Sequence, residues 1–124
     1  MNNEIIITYE GDYVQAIANG DKDFDYSKKL WTQIAQTCRD NNCFKVFGIG
    51  NTTKPLRTME AYQNAELFRE LGLTHEYRIA WVELNPDSYD SLYFAETVLV
   101  NRGMPVRLFI DESDAKKWLM NDDN

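Results

Sequence analysis

The chain has 124 residues and a mass of 14.5 kDa, the size of a single domain that buries roughly two-thirds of its unfolded surface and needs no staple to hold a core. Its formal charge of −7, from 20 Asp and Glu against 13 Lys and Arg, argues against nucleic acid as a partner, because a phosphate backbone demands clustered cations. Hydrophobic content of 44% and charged content of 27% are those of a globular domain, and no apolar run approaches the roughly 18 residues of a membrane span. One domain over residues 1–124 is expected, with 121–124 as a frayed tail.

Met1-Asn2-Asn3-Glu4 lacks the basic and apolar regions of a secretory signal, so the expected compartment is the cytoplasm. Ile5 to Glu10 and Tyr13 to Ala18 are β-rich runs around Gly11-Asp12, an opening hairpin with a two-residue turn. Asp25 or Ser27 can cap a first helix over about 26–40, in which Leu30, Ile34, Ala35 and Cys38 recur at helical spacing. Phe44 to Ile49 is a short strand. Pro55 and Thr58 open a second helix that carries Ala61, Ala65 and Phe68 on one stripe and stops at Gly72. Tyr77 to Leu84 is the clearest strand, and Asn85-Pro86-Asp87-Ser88 turns into a third helix bearing Leu92, Ala95, Val98 and Leu99, with Gly103 as its stop. Val106 to Ile110 is the last strand, and Asp111 caps a final helix whose Ala115, Trp118 and Leu119 face inward. The order β-β-α-β-α-β-α-β-α specifies an α/β sheet with parallel crossovers.

Alternation divides the later strands into two faces. Phe44, Val46, Ile79, Trp81, Val106, Leu108 and Ile110 form a uniformly apolar face for the helices. The opposite face holds Phe47, Ile49, Ala80, Val82 and Phe109, with the cations Lys45, Arg78 and Arg107 aligned near the N-terminal ends of the strands. Left bare, that second face would expose more apolar surface than a monomer usually carries in one patch. Either a helix covers it, as in a doubly wound sheet, or a second copy does; self-association through these residues as a homodimer is the expectation developed first.

Candidate chemistry is sparse. Cys38, Cys43 and the single histidine, His75, are too few for a closed metal site, so no metal is expected and the two thiols read as reduced and partly buried. Gly48-Ile49-Gly50-Asn51-Thr52-Thr53-Lys54 lies between a strand and a helix, where anions bind. Its spacing matches neither a phosphate loop nor a dinucleotide fingerprint, and no cofactor is expected. A ligand or partner would meet the sheet beyond its carboxyl edge, at Asn51, Thr52, Thr53, Lys54, Arg57, Thr58 and Glu83. Glu83 and Glu60 read as solvated or capping carboxylates, and without a second histidine or a serine elbow no nucleophilic triad is available. Charge is uneven: residues 1–26 carry six acidic and one basic side chain, residues 111–124 five and two, and the middle nine and ten.

The order of elements, Glu83, and the closing run Arg102-Gly103-Met104-Pro105-Val106-Arg107-Leu108-Phe109 into Asp111, Ala115, Trp118 and Leu119 resemble the SpoIIAA-like group of the STAS superfamily over nearly the whole chain. The resemblance implies an N-terminal β-hairpin followed by four helices alternating with three further, mostly parallel strands. It also implies a non-enzymatic regulatory module acting through protein contacts, with a small-molecule or lipid-binding domain of the same fold as the alternative. Antagonists in that superfamily are switched by phosphorylation of a serine in an Asp-Ser motif at the start of the second helix. Here that place reads Pro55-Leu56-Arg57-Thr58-Met59, and the Asp-Ser pairs, Asp87-Ser88 and Asp90-Ser91, stand at the third helix. Thr58 is therefore the expected site if phosphorylation regulates the chain. If Phe47, Phe68, Trp81 and Phe94 fill the space between helices and sheet, no cavity remains and protein contact is favoured; a closed pocket of roughly 300 Å³ or more would favour a ligand.

Overall fold

The computed structural model describes residues 4–20, 23–53, 55–104 and 106–121. Strands β1 (Glu4–Tyr9) and β2 (Val14–Gly20) form the opening hairpin, and α1 (Phe24–Asp40), β3 (Lys45–Thr52), α2 (Thr58–Leu71), β4 (Arg78–Glu83), α3 (Tyr89–Asn101), β5 (Val106–Phe109) and α4 (Glu112–Met120) follow. The sheet order is β1-β2-β3-β4-β5; β1 pairs antiparallel with β2 and every other pairing is parallel. This is the SpoIIAA-like α/β arrangement that the sequence resembles.

Because each crossover moves one strand further in the same direction, right-handed connections place α1, α2 and α3 on one face. Val14, Ala16, Val46, Ile79, Trp81 and Leu108 meet them in the main core. Trp81 is clasped there by Trp31, with ring centroids 5.5 Å apart, and Trp31 in turn packs on Phe68 at 4.6 Å. Gly48, directly opposite Trp81 in the sheet, is needed for this packing, since a Cβ there would stand 2.0 Å from the Trp81 ring.

Helix α4 follows the last strand, so no crossover rule governs it, and it folds back over the other face. Phe47, Ala80 and Val82 are buried beneath its Ala115 and Leu119, with Ile49, Phe109 and Trp118 partly covered at the margin. The face of Phe47, Ile49, Ala80, Val82 and Phe109, expected to self-associate, is thus largely covered by the chain's own C-terminal helix, the doubly wound alternative to a second copy. Lys45 and Arg78 are opposite one another, but Arg107 pairs with Ala80 and stands two residues further on. Arg78 secures α4: its Nε donates to Trp118 O at 2.9 Å and its guanidinium lies 4.0 Å from the Trp118 ring centroid.

Local corrections have equally local causes. The first helix begins earlier, at Phe24, because Asp23 rather than Asp25 or Ser27 caps it, accepting from Tyr26 N at 2.8 Å. The hairpin turn is a longer loop over 10–13, closed by Glu10 N donating to Tyr13 O at 2.8 Å. Phe44 and Ile110 are exposed because they fall outside the paired strand residues. Gly72 ends α2 with φ of 77°, and Asp111 caps α4 through Asp114 N at 3.0 Å, both as the sequence predicts.

Candidate functional site

The carboxyl edge of β3 and β4 is built around Glu83, which is 0% exposed. Its Oε2 accepts from Thr52 N at 3.0 Å, Thr52 Oγ1 at 3.2 Å and Asn85 N at 3.1 Å. Since the single Thr52 hydroxyl proton is directed to Glu83, Ser88 Oγ, 2.6 Å from Thr52 Oγ1, acts as donor to Thr52. Asn85 Nδ2 returns to Thr52 O, closing a ring of contacts that ties β3, β4 and the turn before α3 together. Of the solvated and capping roles expected, Glu83 is not solvated: it is a buried node that accepts backbone N–H groups, and its Oε1 has no hydrogen-bond partner among the described residues.

In front of this node the loop into α2 is exposed. Asn51, Thr53, Arg57 and Thr58 face outward, Thr52 faces inward to Glu83, and Lys54 lies outside the described residues. Glu60, buried on the first turn of α2, accepts from Arg57 N at 2.9 Å and pairs with Arg57 Nη2 at 3.2 Å. It serves as a helix cap; its hydrogen bond and charge hold the Arg57 guanidinium above its ordinary range. No described hydrogen bond joins Glu60 to Glu83; each carboxylate is engaged with its own backbone partners. Leu56 N donates to Ser91 Oγ at 3.1 Å, which anchors the loop on α3.

Sequence reasoning missed the surface beside this loop. On the outer side of α2 and α3, Met59 is 68% exposed, Tyr62 46% and Phe94 40%. The Tyr62 and Phe94 rings meet edge-to-face at 5.8 Å, and Arg102 lies over Tyr62 at 5.8 Å. Phe94 was expected between helices and sheet; it points outward because Ala95, Val98 and Leu99 supply the inward stripe of α3. The spacing of Thr58, Met59 and Tyr62 on one helix was the only sequence signal, and pairing with Phe94 is not local.

Phe68, Trp81 and Trp31 fill most of the space between helices and sheet and leave a cavity of about 60 Å³, well short of the roughly 300 Å³ that a drug- or lipid-sized ligand occupies. His75 is exposed, and among the described residues no three His, Cys, Asp or Glu side chains are grouped so as to hold a metal ion. No described helix is long and apolar enough to cross a membrane.

The hairpin, the sequential parallel strands and the three helices on one face define a protein of SpoIIAA-like fold. Comparison with solved structures agrees. The chain superposes on an anti-sigma factor antagonist from Mycobacterium paratuberculosis with a TM-score of 0.64, at 12% identity over 97% of this chain and 96% of that one. It also superposes on an uncharacterized protein of the DUF3478 family with a SpoIIAA-like fold from Shewanella loihica, with a TM-score of 0.52 at 18% identity over 94% and 92% of the two chains. At these identities the likeness establishes the fold. No protein-family model matches the sequence, and no curated protein matches it significantly.

Proposed function

We propose that this chain is a non-enzymatic regulatory module that acts through protein contacts, its partner seated on the outer face of α2 and α3 beside the exposed loop of Asn51, Thr53, Arg57 and Thr58. The observation that carries this reading is the exposed apolar and aromatic surface of Met59, Tyr62 and Phe94, with Arg102 over the Tyr62 ring and the exposed Arg57 and Thr58 preceding Met59 in the chain. Apolar centres with polar rims are where binding energy concentrates in protein interfaces, and Tyr and Arg are over-represented among the residues that supply it. The Glu83 node holds the start of the loop at Thr52 and Leu56 N on Ser91 Oγ holds its end, so little ordering entropy is lost on docking. The carboxylates near the edge, Glu83 and Glu60, are engaged in strand linkage and capping, which agrees with a non-enzymatic role. The fold shared with an anti-sigma factor antagonist agrees with the proposed role. Thr58, exposed at the first residue of α2, is where phosphorylation would place charge inside the interface.

Affinity capture from an extract of the source organism tests the proposal. A protein retained by the wild-type chain and by Arg107→Asp, on the other face, is expected to be lost from Tyr62→Asp and Phe94→Asp and weakened by Thr58→Glu. An identical retained set for all of these folded variants refutes the assignment of the surface.

A further inference from the structure

The two edges of the sheet differ. At β5 the outward amides are engaged within the chain: Val106 N donates to Met104 O at 2.9 Å and Leu108 N to Glu96 Oε2 of α3 at 2.8 Å. At the other edge, β1 has only β2 beside it among the described residues. Opposed residues of an antiparallel pair alternate between hydrogen-bonded and non-hydrogen-bonded, and Glu10 N donating to Tyr13 O sets the phase. In the register of this hairpin Glu4, Ile6 and Thr8 bond to β2, whereas Ile5, Ile7 and Tyr9 turn their N–H and C=O groups out of the sheet. Ile5-Ile6-Ile7 carries neither a charge nor a proline to blunt that edge, and the β1–β2 register runs through it without a bulge. Ile6 also ends an apolar row, Ile6–Ile17–Ile49–Val82–Phe109, that crosses all five strands in register. Helix α4 packs mainly on β3, β4 and β5, so Ile6 at the far end of the row is 43% exposed.

We propose that β1 pairs antiparallel with β1 of a second copy, about a twofold axis normal to the sheet at Ile6, joining two five-stranded sheets into one. Only the outward-facing residues can bond across the axis, which limits the register. Centred on Ile6, the pairing lets Ile5 and Ile7 exchange hydrogen bonds with Ile7 and Ile5 of the second copy. Ile6 then meets Ile6, Glu4 meets Thr8, and the apolar row continues from one copy into the next. Centred on Ile7 instead, the strands would set Glu4 against Glu10 at both ends, a like-charge pair directly opposite. The strand is its own complement in one register, which favours a second copy over a foreign segment. Because the outward amides of β5 are engaged by Met104 and Glu96, copies cannot add edge to edge without end, and association closes at two. The contact lies beside α1, whereas the Tyr62–Phe94 surface belongs to α2 and α3.

Sedimentation equilibrium of the full chain, with amide hydrogen exchange as a second readout, tests the proposal. A monomer–dimer equilibrium with Kd of roughly 10–100 μM is expected, as suits a small interface. The Ile5 and Ile7 amides should gain protection as concentration rises, while the Leu108 amide, already bonded to Glu96, stays unchanged. Ile6→Lys sets two cations opposite one another and Ile6→Glu two carboxylates, and each should weaken the dimer about tenfold or more. Mixing the two variants should restore association, because the residues meeting at the axis then carry opposite charges. If these variants do not fold, the concentration dependence of wild-type exchange decides the matter. A chain still monomeric at about 1 mM, assembly beyond the dimer, protection of Ile5 and Ile7 that ignores concentration, or a mixture of the folded variants that fails to recover overturns the proposal.

Discussion

Replacing Gly48 with alanine places a methyl group where Trp81 already stands. The added Cβ would lie 2.0 Å from Trp81 Cε3 and 2.2 Å from Cζ3, against the roughly 3.5–4.0 Å at which carbon atoms rest in contact. The indole is hemmed in, because Trp31 packs on it at 5.5 Å and is itself backed by Phe68 at 4.6 Å, and the cavity of about 60 Å³ beside it is too small to take the ring. Either β3 and β4 separate locally or Trp81 leaves its rotamer and part of its burial. Overpacking typically costs about 1–3 kcal/mol, and an overlap this deep against a rigid ring should reach about 3 kcal/mol or more, a large share of a domain stability of about 5–15 kcal/mol. In a Trp81→Leu background the ring is gone, and alanine, which forms strands better than glycine by about 0.5–1 kcal/mol, should be neutral or favourable. Urea unfolding followed by far-UV circular dichroism on the four proteins of this cycle measures the coupling, expected at about 3 kcal/mol or more with unchanged m. A cost below about 1 kcal/mol for Gly48→Ala in the wild-type background, or the same cost in both backgrounds, would refute the reasoning.

Glu83→Ala strips the acceptor from Thr52 N, Thr52 Oγ1 and Asn85 N and should cost about 2–4 kcal/mol, whereas Glu83→Gln, which keeps one acceptor oxygen, should cost less; chemical denaturation ranks them. Asp111→Ala removes the cap of α4, with an expected loss of about 1 kcal/mol, and hydrogen exchange should show α4 and the Ala80 amide region opening before the main core. Burial, reinforced by Cys43 and opposed by Arg39, pushes the Cys38 thiol from 9.0 up to about 12, so it should resist thiol reagents at pH 8 in the native state. The raised value means that the unfolded chain ionises first: stability conferred by the neutral thiol is complete below about pH 9 and declines towards pH 12 by up to about 1.4 kcal/mol per pH unit. Cys38→Val should flatten that alkaline decline, measured as unfolding free energy against pH. Tyr26 and Tyr77, also pushed up by burial, act with the same sign.

How much of the candidate site was legible follows from the range of the interactions that make it. Thr58 opening α2, Gly72 closing it and Asp111 capping α4 are set by neighbours within a few residues, so the sequence shows them directly. Glu83 could be placed at the sheet's carboxyl edge by counting along β4, yet its partner Thr52 is reached across strands, and that contact made an expected solvated or capping carboxylate a buried structural node. The Tyr62–Phe94 patch joins two helices that meet only after both have docked on the sheet.

The same division runs through the fold. Hydrophobic periodicity, capping residues and turn glycines determined the element order, and the handedness of parallel crossovers then leaves α1, α2 and α3 one face to occupy. Alternation also sorted Phe47, Ala80 and Val82 onto the opposite face and required that something cover it. What covers it was decided by tertiary structure alone. A helix after the last strand belongs to no crossover, so neither period nor handedness directs it; the match of Ala115 and Leu119 to the Phe47–Ala80–Val82 surface, locked by Arg78 on Trp118, does. Shape complementarity between surfaces distant in the chain is a property of packed side chains, and it exists only once the sheet has formed.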